Sequence, residues 1–142
     1  MSLEKSKTVV TLLGTGVTNG ATVTARVDTL GFKRASVDLI LGTANVVSNN
    51  PSVLLLKDGD TTAYTSGTTI QTGDTDFTIA DSDTTNPNVY RFDVDCRGRR
   101  RYLFVGVSPT TTQEAVLVAR LARGEDAPTS TTDLGVVNVV RI

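Results

Sequence analysis

The sequence of 142 residues contains no histidine, no tryptophan and a single cysteine, Cys96. Without histidine, the side chain that most often acts as general acid or base near neutral pH is missing, so most histidine-dependent catalysis is excluded. One cysteine forms neither an intrachain disulfide nor an all-thiolate zinc site. An enzyme is therefore not expected, although composition alone does not define the function, and no catalytic residues, small-molecule substrate, metal or other cofactor are predicted.

Aromatic residues make up only 5% of the chain, and eighteen apolar residues nowhere follow one another. There is thus no candidate transmembrane helix, and few aromatic rings are available for nucleic-acid bases to stack on.

The 14 lysines and arginines are balanced by 15 aspartates and glutamates, so the net charge is −1. No overall positive field attracts nucleic acid or anionic membranes. We expect neither as a partner, and an electrostatic partner has to bind a local patch.

Threonine and valine, in contrast, are abundant, with 24 and 19 copies. These β-branched residues lose side-chain freedom in helices and pack well on pleated sheets. Alternation marks half-buried strands, as where Val23, Ala25 and Val27 face one way and polar residues face the other. Strands are predicted over 8–13, 21–29, 34–41, 52–57, 76–80, 88–96, 101–108 and 114–122, with a further piece at 136–141.

About eight short strands in a chain of this length predict a single all-β domain, a two-sheet β-sandwich or jelly roll. A flexible N-terminal arm is expected over 1–7 and the folded domain over 8–142. Residues 58–88 are dense in Thr, Asp, Ser, Gly and Asn, which predicts loops. The segment 114–123 has the alanines and leucines of a helix, but its β-rich surroundings favour a strand.

The stretch 97–100 lies between two of these strands and predicts a β-hairpin. With Gly98 at the first central position of a type II′ turn, the flanking strands pair symmetrically about it. This register places Val94 opposite Leu103 and brings the apolar side chains of both strands onto one face, whereas a slip by one residue would reverse the faces.

Four arginines cluster at this turn: Arg97, Arg99, Arg100 and Arg101. Like charges that flank a turn destabilise it, which indicates that something compensates them. One explanation is that Asp93, Asp95 and neighbouring acids neutralise the guanidinium groups within the domain or across a subunit interface. The other is that the arginines bind carboxylates on a partner, in the planar bidentate geometry of arginine. Both explanations stay open.

Asp-x-Asp pairs occur at 58/60, 74/76, 81/83 and 93/95. Calcium takes several oxygen ligands from a constrained loop, and the Asp-rich loops 58–83 contain such ligands. Aspartate is also a common turn residue, so solvated turns are the simpler interpretation. No metal site is predicted.

Three stretches carry a resemblance to a known family: Thr22-Val-Thr-Ala-Arg-Val-Asp-Thr-Leu-Gly-Phe, Ser36-Val-Asp-Leu-Ile-Leu-Gly-Thr and Tyr90-Arg-Phe-Asp-Val-Asp-Cys-Arg-Gly-Arg-Arg-Arg-Tyr-Leu. They resemble the small virion structural proteins of tailed bacteriophages, in particular the head decoration or cement proteins. The similarity covers most of residues 1–123. In that class, β-sandwich or jelly-roll subunits commonly form trimers on the outside of the capsid.

The resemblance implies a non-enzymatic bacteriophage capsid decoration protein that binds the outer surface of the head and stabilises contacts between major capsid protein subunits. It also implies a homotrimer located on the virion after synthesis in the host bacterial cytoplasm. The expected partner-binding residues are Arg97, Arg99, Arg100 and Arg101. An alternative stays open, a β-sandwich carbohydrate- or calcium-binding module of a phage tail or fibre.

Overall fold

The computed structural model describes residues 5–18, 21–42, 51, 53–72, 88–109 and 112–124. One turn of 3-10 helix spans Tyr64–Ser66, and the described residues include no helix long and apolar enough to cross a membrane. The strands are β1 (Lys5–Val17), β2 (Val23–Asp28), β3 (Arg34–Leu41), β4 (Val53–Gly59), β5 (Thr68–Thr72), β6 (Asn88–Asp95), β7 (Tyr102–Ser108) and β8 (Gln113–Gly124).

These strands form two antiparallel sheets of four strands each. Sheet A has the order β1-β8-β3-β6, and sheet B has the order β2-β7-β4-β5. In each sheet the early strands pair with the late ones, β1 with β8, β2 with β7, β3 with β6 and β4 with β5. The first half of the chain thus pairs with the second half in reverse order, as in a long hairpin that has been folded over. This is the eight-stranded jelly roll, and it confirms the predicted all-β, two-sheet single domain.

The core lies between the sheets and consists of the side chains that alternation assigns to one face of each strand. In β3, Val37, Leu39 and Leu41 are fully buried, and Leu117 of β8 is buried beside them. Burying a side chain of this size stabilises the fold by roughly 1.5–3 kcal/mol. The opposite positions of each strand form the outer faces of the sandwich, where the candidate surfaces lie.

The predicted strands agree with most of the observed ones. β8 confirms that 114–122 is a strand rather than a helix. The prediction of loops throughout 58–88 is wrong for β5, Thr68–Thr72, a mostly polar strand at the edge of sheet B. Edge strands are often short and polar, which discourages pairing with other chains, so apolar alternation does not mark them. The strands predicted at 76–80 and 136–141 lie outside the described residues.

The first strand is longer than its predicted span. β1 begins at Lys5 and pairs with β8 from Lys5 opposite Gly124. Residues 5–7 of the predicted arm over 1–7 therefore belong to a strand of sheet A, and residues 1–4 lie outside the described part.

The predicted hairpin across 97–100 is wrong. β6 pairs with β3 in sheet A, whereas β7 pairs with β2 and β4 in sheet B. Val94 therefore lies opposite Ala35 and not opposite Leu103. Alternation indicates which face of a strand is buried but not which strand lies next to it. Both arrangements bury Phe92 and Leu103, so the apolar pattern is compatible with either one.

The turn at Gly98 also differs from the predicted one. The N–H of Arg99 donates to the carbonyl of Cys96 at 3.2 Å, so Gly98 occupies the third position of the turn, with φ of +78°. A positive φ at that position is the mark of a type II turn. Type II turns splay flanking strands instead of closing a hairpin, which fits a connection that leaves sheet A for sheet B.

The outer face of sheet B is covered by the connection between β4 and β5. Tyr64 packs edge-on against Phe104, with 6.1 Å between ring centroids, and Phe104 is 1% exposed although it points away from the main core. Gly106 makes room for this ring, since a Cβ there would lie 2.5 Å from the hydroxyl oxygen of Tyr64. The Lys57 ammonium lies 4.2 Å from the centre of the Tyr64 ring. Sheet B thus has its own small outer cluster.

The pairing of β6 with β3 predicts the outcome of disulfide engineering. In a Cys96→Ser background, the pair Ser36→Cys/Asp93→Cys should form a disulfide, because these positions face each other across the two strands. Facing residues have Cα atoms about 4.5–5.5 Å apart, within disulfide range. Closing this long loop should raise the free energy of unfolding in urea by up to about 4 kcal/mol.

The reduced double variant is the control for this comparison. Free thiols that persist after oxidation, measured by thiol titration under denaturing conditions, would contradict the pairing of these two strands.

Candidate interaction surfaces

The connection 96–101 carries the chain from sheet A to sheet B. Arg97 turns back onto β6, where its Nε and Nη2 donate to the two carboxylate oxygens of Asp95 at 2.9 and 2.6 Å. Arg101 reaches β2, where its Nε and Nη2 donate to the carboxylate of Asp28 at 3.0 and 2.7 Å. Two of the four predicted arginines are therefore bound in bidentate fashion by acids of the same chain.

Arg100 binds at the end of the β4–β5 pair. Its backbone N–H donates to Oδ2 of Asp58 at 3.4 Å, and its Nη1 donates to the hydroxyl of Thr68 at 3.1 Å. Its Nε also lies 3.6 Å from a carboxylate oxygen of Asp60. Together with Arg97 and Arg101, it fastens the connection to strands of both sheets. For these three arginines, neutralisation by acids of the same domain is the explanation that the structure supports.

The pairing shifts the pKa values of the acids. The hydrogen bond from Arg101 holds the pKa of Asp28 below its usual range. The side-chain and backbone donors of Arg97 hold the pKa of Asp95 well below its usual range. The pKa values of Arg97 and Arg101 are raised by the same hydrogen bonds. Both pairs therefore stay ionised at neutral and mildly acidic pH.

Arg99 differs from its three neighbours. It is exposed, and its guanidinium has no hydrogen bond or ion pair within the described ranges. The same holds for the side chains of Lys33 and Arg123, which lie near the ends of β3 and β8 at the same end of the sandwich. We call this end of the molecule the basic end, defined by Lys33, Arg34, Arg97, Arg99, Arg100, Arg101 and Arg123.

The charge of the described part differs from that of the whole chain. It contains 13 of the 14 lysines and arginines but only 7 of the 15 aspartates and glutamates, an excess of six positive charges. At the basic end, seven cations stand beside four acids: Asp28, Asp58, Asp60 and Asp95. A local positive patch thus exists in a chain whose net charge is −1.

The outer face of sheet A holds a buried carboxylate that the sequence analysis missed. Asp38 lies in the central strand β3, and its side chain is 6% exposed. Arg91 of β6 donates to both of its oxygens at 2.6 and 2.9 Å, and Nη1 of Arg120 of β8 donates at 2.7 Å. The hydrogen bond from Arg91, together with that from Arg120, holds the pKa of Asp38 below its usual range.

No sequence signal marks this triad. Asp38 occupies a polar position of an alternating strand, which predicts exposure to solvent. Its two partners are 53 and 82 residues away in the chain, and only the pairing of β3 with β6 and β8 brings them together.

Beside this triad, the charged half of the outer face forms a shallow groove of about 620 Å³. Its lining consists of Arg34, Ala35, Ser36, Asp93, Val94, Asp95, Arg120 and Ala122. Both signs of charge are present, so the groove does not select an anion or a cation by charge alone.

The other half of this outer face is apolar and uncovered by the described chain. Leu12 of β1, Val116 of β8, Ile40 of β3 and Val89 of β6 form one row across all four strands. Val10 is 61% exposed, as is Leu12, and Val89 is 56% exposed. We call this surface the apolar band, defined by Val10, Leu12, Ile40, Val89, Val116 and Val118. Exposed apolar patches with polar rims are typical of interaction sites.

The Asp-rich turns form no metal centre in the part of the chain that the structure describes, where no three Cys, Asp or Glu side chains lie close enough to hold an ion. Of the Asp-x-Asp pairs, 74/76 and 81/83 lie outside the described ranges. Cys96 is half-buried and packs against the core. Burial raises the pKa of its thiol, as expected for a small apolar residue rather than a nucleophile.

No family model matches the chain, and no curated protein has a matching sequence. The resemblance to decoration proteins therefore rests on the three stretches given above. Jelly rolls serve unrelated functions, among them viral capsid domains, lectins and cupins. A function has to be inferred from the surfaces of this jelly roll rather than from its topology.

The Asp38 triad predicts a pH-dependent loss of stability. Asp38→Asn should lower the free energy of unfolding by about 2 kcal/mol at neutral pH, because two guanidinium groups lose their counter-charge. The pKa of Asp38 is lower in the folded state. Its contribution is therefore complete above the unfolded-state pKa of about 4 and is lost as pH falls through the folded-state pKa.

Urea unfolding of parent and variant at several pH values measures this difference, which should shrink below about pH 4. The matched control is Asp93→Asn, at an exposed position on the same outer face, which should change stability much less. An equal loss for Asp38→Asn at all pH values would contradict the role given to its ionised carboxylate.

Proposed function

We propose that this chain is a non-enzymatic structural protein of a tailed-bacteriophage virion, a head decoration or cement protein. It binds the outer surface of the capsid and stabilises contacts between major capsid protein subunits. It acts as a homotrimer on the shell, after synthesis in the host bacterial cytoplasm. The observation that carries the proposal is the basic end, where Arg99, exposed and without a partner in the described chain, sits on a firmly held turn.

The arginine turn suits attachment to an acidic protein surface. Arg97, Arg100 and Arg101 are fastened to strands of both sheets, so Arg99 is presented on an ordered backbone. A preordered group loses less conformational entropy on binding than a group on a mobile loop. The planar guanidinium of arginine also matches carboxylates in bidentate geometry. Of the four arginines, Arg99 is therefore the main contact with the shell.

The rest of the molecule is compatible with this role. A jelly roll with a continuous core is a stiff module, and jelly rolls recur as domains of viral capsids. Weak contacts of single basic ends add up when three subunits bind together, because each contact after the first becomes intramolecular. The resemblance to decoration proteins supports the same function.

A charge-removing variant tests the attachment. Arg99→Gln should bind undecorated heads roughly tenfold more weakly, since a charge-assisted hydrogen bond contributes about 1.5–3 kcal/mol. Its binding should also depend less on salt, because contacts between surface charges are screened by ions. Co-sedimentation with heads over a series of salt concentrations measures both quantities.

Arg26→Gln is the matched control, since it removes the same charge from β2 on the outer face of sheet B. It should bind as the parent does, and both variants should unfold at the parental urea concentration. Parental affinity and salt dependence in Arg99→Gln would overturn the assignment of the turn as the contact with the shell.

A further inference from the structure

An exposed leucine stands on an ordered turn at the basic end. The turn Thr29–Phe32 joins β2 to β3, and the N–H of Phe32 donates to the carbonyl of Thr29 at 3.0 Å. Gly31, at the third position, has φ of +82°, as a type II turn requires. Leu30, at the second position, is 64% exposed, the highest value among the large apolar side chains of the described chain. Its side chain therefore contributes little to the core.

Hydrogen bonds join this turn to the connection 96–101. The N–H and the hydroxyl of Thr29 both donate to the carbonyl of Arg101, at 3.0 and 2.6 Å. Asp28 links the two segments as well. Its Oδ1 accepts from the N–H of Leu30 at 3.1 Å and from Nε of Arg101 at 3.0 Å. The two connections between the sheets thus form one ordered platform.

The leucine has cations as neighbours on this platform. Lys33 follows at the end of its own turn, and the carbonyl of Lys33 accepts from the N–H of Cys96 at 2.9 Å, which adds a further bond between the two connections. Arg99 lies on the other connection, two residues before Arg101. The side chains of Lys33 and Arg99 are exposed and have no hydrogen bond or ion pair within the described ranges. The platform therefore presents an apolar side chain beside unpaired positive charges.

We propose that Leu30 is the apolar anchor of the basic end, and that its partner is a protein surface with an apolar pocket rimmed by carboxylates. This inference rests on the proposed function, in which the basic end contacts the capsid. Interfaces between proteins typically have an apolar centre and a polar rim. The arrangement of Leu30 beside Lys33 and Arg99 matches such an interface.

Charge alone would hold the two surfaces weakly. Ion pairs that stay in contact with water contribute little, because water and salt screen them. An apolar side chain that docks next to them excludes water, and an ion pair is stronger where water is excluded. Burial of Leu30 also removes its own apolar surface from water, which is favourable. Because the turn is already ordered, docking costs little conformational entropy.

Three substitutions at one position test the anchor, with undecorated heads as the binding partner. Leu30→Ser should bind heads roughly tenfold to a hundredfold more weakly, because it removes the apolar side chain. Its salt dependence should equal that of the parent, since apolar burial is not screened by ions. Leu30→Lys should also bind more weakly, whereas a contact made by charge alone would bind this variant more tightly. Leu30→Met is the matched control, which keeps the size and apolarity of the side chain and should bind as the parent does.

Co-sedimentation with heads over a series of salt concentrations measures the parent and all three variants. Each variant should unfold at the parental urea concentration, because Leu30 is exposed. Leu30→Gln replaces a polar variant that unfolds at a lower urea concentration. Parental affinity in Leu30→Ser, or tighter binding by Leu30→Lys, would overturn the role of Leu30 as an anchor.

The behaviour of the parent separates this inference from the proposed function. A parent that does not sediment with heads overturns both. A parent that binds heads no better than Leu30→Ser keeps the capsid function and overturns the anchor alone. Vesicles of equal parts of phosphatidylcholine and phosphatidylglycerol test a lipid surface, which also attracts apolar side chains flanked by cations. Sedimentation of the parent with these vesicles that is lost in Leu30→Ser would overturn the protein pocket as the partner.

Discussion

The antiparallel pairing of the first half of the chain with the second half, in reverse order, is the constraint on which the rest of the structure depends. It places β6 and β7 in different sheets, so the segment between them has to cross the end of the sandwich outside both hydrogen-bonded ladders. A crossing without ladder bonds needs other contacts. Here they come from arginines that bind acids on β2, on β6 and at the β4–β5 pair, and the same crossing presents Arg99 to solvent.

The two outer faces differ because the short connection between β4 and β5 covers sheet B but not sheet A. Sheet B is covered by its own chain, because Gly106 leaves room for Tyr64 to pack against Phe104. Sheet A has no such cover among the described residues, and its outer face is divided into an apolar half and a charged half. The Asp38 triad lies between them. With Asp38 neutralised by Arg91 and Arg120, the centre of the face holds no buried charge without a partner.

Local periodicity made the strands and their buried faces predictable, because a period of two residues is read within one segment. The identity of the neighbouring strand is not local, which is why the hairpin at Gly98 was predicted wrongly and the Asp38 triad was missed. One signal of the apolar band was present in the sequence. Apart from Thr11, residues 9–13 are apolar, so both faces of β1 carry apolar side chains, a pattern typical of strands that are covered on both sides. For the arginines, the sequence left two explanations open, and the structure separates three paired side chains from Arg99.

The distribution of charge keeps the proposed self-association and the proposed attachment to a shell from opposing each other. Repulsion between whole subunits depends on net charge, which is −1, so copies of the chain bring little overall charge together. Attachment to an acidic surface would depend mainly on charges within about 10 Å of the contact, because salt largely screens charges that are farther away. At the basic end these charges are predominantly positive. A chain with the same six excess cations and no compensating acids elsewhere would attract an acidic surface through the same end, but its copies would repel one another. The separation of local from net charge is therefore compatible with the proposal that one small jelly roll binds both its own copies and an acidic partner.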